Sequence, residues 1–126
     1  MNENIKEKCY MSMLTELEAL GVNTEEALRR FMNNSALYVR MLGKYPAAAE
    51  NSAVAEKFAA KDYEAALTET HTLKGVSGNL SLTPLFKDYS EIVTLLREGK
   101  NDDAEALYEK TAVTEKQIID CIKANS

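Results

Sequence analysis

Apolar residues in this chain return every three or four positions, and no stretch alternates as a strand does, so the pattern predicts helices throughout. Ile5, Cys9, Met13, Leu14, Leu17 and Leu20 give a first helix over residues 3–20, with Gly21 placed where helices commonly end in a left-handed residue. Asn23-Thr24-Glu25-Glu26 reads as a capping box before a brief second helix carrying Ala27, Leu28, Phe31 and Met32. A third helix opens near Asn34-Ser35, carries Leu37, Tyr38, Met41 and Leu42, kinks or breaks at Pro46, and resumes from Ala47 to Ala60. With Asp62 as N-cap, a fourth runs from Tyr63 to about Ser81, with Ala66, Leu67, Thr70, Leu73, Ser77 and Leu80 on one side.

Thr83 then caps, and Pro84 opens, a helix whose stripe is Leu85, Tyr89, Ile92, Val93 and Leu96, ended by Gly99. Asp102 with Glu105 offers another capping box for a last helix marked by Leu107, Tyr108, Thr111, Ile118 and Ile122. Short connections between the last three helices favour an up-down bundle. No repeat or linker interrupts the chain, so residues 1–126 are expected to form a single all-α domain.

Composition narrows the function. Of 126 residues only 2 are Pro and 5 Gly, in keeping with helix. The formal net charge is −5, with Lys and Arg scattered among carboxylates, which argues against nucleic acid as a partner. Arg29, Arg30, Arg40 and Lys44 form a local basic cluster that reads either as idle solvated charge or as a docking contact. Cys9 and Cys121 stand at opposite ends without metal-ligand or CxxC spacing and read as buried or idle thiols. The first residues lack a signal-peptide pattern and no apolar run is long enough to span a bilayer, so a cytoplasmic location without membrane association is expected. Each helix has one apolar stripe that a single bundle can satisfy, which predicts a monomer.

One segment is not explained by helix formation. His71-Thr72-Leu73-Lys74-Gly75-Val76-Ser77-Gly78-Asn79-Leu80 holds the only histidine and two helix-interior glycines, which together cost about 2 kcal/mol relative to alanine. His71 lies roughly 130° around the helix from the apolar stripe and is expected to face solvent. Lys74 and Gly75, at i+3 and i+4, share its side. Helical side chains lean toward the N-terminus, so a large residue at 75 would cover the imidazole. A neutral imidazole is a competent phosphoryl acceptor near neutral pH; Lys74 supplies charge for the transferring oxygens and Gly75 room for in-line approach. Gly78 admits two readings, access and close helix packing.

The run HTLKGVSGNL resembles the H-x-L-K-G signature of histidine phosphotransfer domains, and the flanking helices, over roughly residues 20–122, are similar to that family's layout. The resemblance implies an up-down four-helix bundle with an additional short N-terminal helix. It implies His71 as the phosphorylated residue, Lys74 and Gly75 as its supports, and Thr68, Thr72, Gly78 and Leu82 as partner contacts. The implied partners are a response-regulator receiver domain, a hybrid sensor histidine kinase, or both. No cofactor of its own is implied; magnesium belongs to the partner receiver domain. The chain departs from many members in having Ser81 after the leucine, where Gly is common, and Val93 where some place a Gln that holds the histidine.

No nucleotide-binding glycine loop or magnesium-binding carboxylate cluster is evident, so the expected role is that of a phosphoryl carrier and not an enzyme with kinase activity of its own. The alternative is a helical adaptor that binds a receiver or kinase domain without transfer, against which intact His71 and Lys74 count. A carboxylate-bridged metal bundle requires Glu-x-x-His pairs, and Thr68 occupies the position three before His71.

Overall fold

The computed structural model describes residues 3–125, without the side chains of residues 3–7 and Cys9, so the expected core roles of Ile5 and Cys9 lie outside the described residues. Eight helical segments follow in order: α1 (Glu3–Ala19), α2 (Thr24–Arg30), α3 (Ser35–Leu42), α4 (Tyr45–Ser52), α5 (Val54–Ala59), α6 (Tyr63–Asn79), α7 (Thr83–Arg97) and α8 (Asn101–Ala124). No strand occurs among the described residues. The interrupted run α3–α5, together with α6, α7 and α8, makes a four-membered helical bundle. In it α7 packs along α6 on one side and α8 on the other, α4 and α5 rest on α6, and α1 lies against α8. The short extra helix is α2, held between α1 and α3.

Capping explains most of the boundaries. Asn23, Asn34 and Asp62 each accept a hydrogen bond from the backbone N–H three residues on, at 3.1, 3.0 and 3.1 Å. After α1, Gly21 at φ 93° is left-handed, and Val22 N–H donates back to the Leu17 carbonyl at 3.0 Å. Ser81, at φ 54°, plays the same part after α6: its N–H and that of Leu82 donate to the Gly78 and Ser77 carbonyls. That left-handed position is one where glycine is least strained.

Three local expectations need correction. Thr83 does not cap α7; Leu82 is the N-cap residue, and the Thr83 hydroxyl donates to the Ser81 carbonyl at 3.2 Å. Asp102 does not cap α8, because the helix starts earlier, at Asn101; Asp102 and Asp103 instead put negative charge in its first turn. The second half of the third helix is broken at Ala53, at φ 47° and ψ 43°. No Gly or Pro marks that break; after it Val54 and Phe58 enter the core at 3% exposure each.

Three tyrosines, Tyr38, Tyr45 and Tyr89, are fully buried, and each hydroxyl is satisfied. Tyr38 donates to the Leu80 carbonyl at 2.8 Å, tying α3 to the end of α6. Tyr45 and Tyr89 both donate to one oxygen of Glu115, Tyr45 at 2.8 Å, joining α4, α7 and α8. Burial raises the pKa of all three phenols well above the usual tyrosine range, and for Tyr45 and Tyr89 the Glu115 carboxylate adds to the effect. Cys121 is buried between α8 and α1, where burial and a 3.2 Å hydrogen bond to Glu16 push its thiol up to about 11.

Candidate functional site

Helix α6 owes its orientation to its buried side: Ala66, Thr70, Leu73 and Ser77 face the bundle. Its polar residues do not strain the interior, since the hydroxyls of Thr68, Thr70, Thr72 and Ser77 donate to carbonyls three or four residues earlier. His71 falls on the opposite side and is exposed, as the periodicity predicts. Its imidazole has no hydrogen-bond partner or ion pair among the described residues, so neither ring nitrogen is engaged.

A cβ placed on Gly75 meets nothing within 4 Å, which leaves open space one turn beyond the ring. Gly78 differs. A Cβ there would lie 3.0 and 3.1 Å from ring carbons of Phe86, so Gly78 lets α7 press an aromatic side chain against α6. The two glycines therefore differ: the space at Gly75 is open, and that at Gly78 is filled by Phe86.

His71, Lys74, Gly75 and Gly78 line one groove of about 580 Å³. Its other wall comes from α2, the α6–α7 turn and the start of α7, where Glu26, Arg30, Ser81 and Phe86 were not singled out together by sequence. Arg30 donates from Nη1 to the Gly78 carbonyl at 2.5 Å and from Nη2 to Glu26 Oε1 at 3.0 Å. Ser81 Oγ donates to the same Glu26 oxygen at 3.1 Å. Glu26 therefore does not reach back to close the capping box on Asn23, whose N–H instead donates to the Ser81 carbonyl at 3.2 Å. The ammonium of Lys74 forms no ion pair with a described residue, and its charge is available to the groove.

Thr68 and Thr72 are exposed on α6 but lie outside the groove lining. Leu82 is corrected from partner contact to core residue: it has no exposed surface, because it caps α7 with its side chain turned into the bundle. Val93 is also buried. Counting along antiparallel helices from the Gly78–Phe86 contact, seven residues back and seven forward bring Val93 level with His71. An apolar side chain at that level supplies no hydrogen bond to the ring.

The histidine, the adjacent lysine and the open glycine lie on one exposed face of a helical bundle, and the Hpt domain model matches residues 11–124. The chain belongs to the Hpt domain family. Neither the curated proteins nor the solved structures gave a match. Hpt domains are phosphotransfer modules of two-component systems that act as phosphocarriers and interact with receiver domains and kinases. Among the described residues, no helix is long and apolar enough to cross a membrane.

Proposed function

We propose that the chain carries a phosphoryl group on His71, taking it from a receiver-domain aspartate or a kinase and passing it to a response regulator. The observation that carries this reading is an exposed imidazole, free of internal hydrogen bonds, with an unpaired lysine one turn on and open space over Gly75. In the transfer, the lone pair of the unprotonated ring nitrogen forms an N–P bond as the aspartyl P–O bond breaks, and the electron pair leaves with the carboxylate. The Lys74 ammonium, one turn along, offsets charge spread over the three equatorial oxygens. Gly75 keeps the line of approach clear. Magnesium and the acidic residues that hold it belong to the receiver domain, so the chain acts as a carrier with no kinase activity of its own.

Incubation with a phosphorylated receiver domain and magnesium tests this directly. The expected product is acid-labile, base-stable phosphate on the wild-type chain and none on His71→Gln, which should retain the fold because the ring is exposed. Equal labelling of both chains would end the carrier reading. Tight binding of the receiver without any labelling would favour the adaptor.

A further inference from the structure

We propose that Arg30 and Phe86 form a specificity anchor for the partner, taking a carboxylate beside an apolar side chain on the rim of a receiver domain. The proposal deepens the carrier reading above and rests on it. Both residues meet at Gly78. The Arg30 guanidinium closes on the Gly78 carbonyl, while the Phe86 ring fills the space that the missing Cβ leaves.

Gly78 lies seven residues along α6 from His71, about 10 Å at helical rise. That separation is too great for Arg30 to touch a phosphoryl group on the imidazole, but well within the footprint of a docked protein domain. The guanidinium is the one member of the basic cluster that lines the groove; Arg29, Arg40 and Lys44 do not.

Arg30 is held in place without being used up. It spends one donor on the Gly78 carbonyl and one on Glu26, and a guanidinium has five, while its side chain remains 45% exposed. Two fixed hydrogen bonds mean that little rotamer freedom remains to be lost when a carboxylate arrives. Phe86 is 41% exposed, one of four large apolar side chains so exposed among the described residues and the only one of these in the groove. Its ring is braced by the α6 backbone on one face. Arg30 and Phe86 are both braced at Gly78; arginine is among the residue types that dominate binding energy at protein interfaces, and phenylalanine is enriched there. Lys74 brings unpaired positive charge to the groove, and Arg30, although ion-paired to Glu26 at 3.0 Å, keeps three unspent N–H donors, which suits a receiver domain, whose phosphoacceptor is an aspartate among metal-binding carboxylates.

The test uses a receiver domain that exchanges phosphate with the wild-type chain, and phosphoramidate as a donor that needs no docking. Arg30→Ala and Phe86→Ala should each raise KM for the phosphorylated receiver about thirtyfold, the scale of an interface hot spot, with the saturating rate held. Labelling by phosphoramidate should match wild type, and raising salt should weaken the wild type more than Arg30→Ala. Arg30→Lys, which keeps the charge but not the planar fork, should recover only part of the loss and serves as the check if Arg30→Ala folds poorly. An unchanged KM, or an equal fall in phosphoramidate labelling, would overturn the anchor. Should the wild-type chain accept phosphate from neither donor, the carrier reading fails. Calorimetric binding of unphosphorylated receiver domains then decides the anchor separately, with wild-type affinity in both variants overturning it.

Discussion

Replacing Gly75 with leucine sets helix stability against access to His71. The position is in the interior of α6, is exposed, and has nothing within 4 Å of an added Cβ, so no neighbour is displaced. Removing a glycine from a helix interior gains about 0.8 kcal/mol, partly by restricting the unfolded chain. At about 2.1 cal/mol/K of unfolding entropy per residue, a chain of this length should melt about 3 °C higher. Transfer from a phosphorylated receiver should nevertheless collapse, because a leucine at i+4 leans toward the N-terminus and over the imidazole. Gly78→Leu is the contrast, since the side chain collides with Phe86 and overpacking costs about 1–3 kcal/mol. Thermal melts by circular dichroism and initial transfer rates separate the two effects. A Gly75→Leu protein that melts lower yet accepts phosphate normally would refute the access argument.

Lys74→Ala should slow transfer at saturation more than it raises KM, since the ammonium acts when charge spreads over the moving oxygens; an equal change in both would recast it as a docking residue. Glu115→Ala strips the acceptor from two buried tyrosine hydroxyls and should cost about 2–4 kcal/mol in urea unfolding, whereas a loss below 1 kcal/mol would mean that water replaces the carboxylate. Alkaline pH should weaken the same tie. The folded-state phenol values are raised, so their stabilisation is complete below the unfolded value of about 10 and lost as pH rises through and beyond it; a urea midpoint independent of pH from 9 to 11 would contradict this.

Most of the fold was legible because the apolar stripes and the Asx caps act over one or two turns. Asn23, Asn34 and Asp62 cap as their spacing predicts, and α6, α7 and α8 occupy the expected stretches. The break at Ala53 was not legible. Ala53 takes a left-handed conformation with no glycine to announce it, at the point where the chain must turn Val54 and Phe58 into the bundle, and that demand comes from distant helices. Glu115 did leave a signal. It interrupts the stripe Leu107, Thr111, Ile118, Ile122 at the position where an apolar residue belongs, and such a gap in a buried stripe calls for polar partners elsewhere, here Tyr45 and Tyr89.

The site divides the same way. His71, Lys74 and Gly75 lie within one turn of a single helix, so their common face follows from helical spacing alone. The opposite wall does not, because Glu26 and Arg30 lie about 50 residues from Gly78 and Ser81 and meet them only through tertiary packing. The ring itself has no internal restraint: Val93, level with it on α7, offers no hydrogen bond, and no other described group supplies one. An imidazole without a fixed partner exchanges between tautomers, so only part of the free population presents the unprotonated nitrogen in the attacking direction. Docking must then complete the geometry, the seated partner's contacts at the ring itself selecting one tautomer. Nitrogen-15 NMR of His71 should accordingly show averaged tautomers in the free chain and a single one in complex with a receiver domain. One tautomer already fixed in the free chain would mean that the ring is oriented from within.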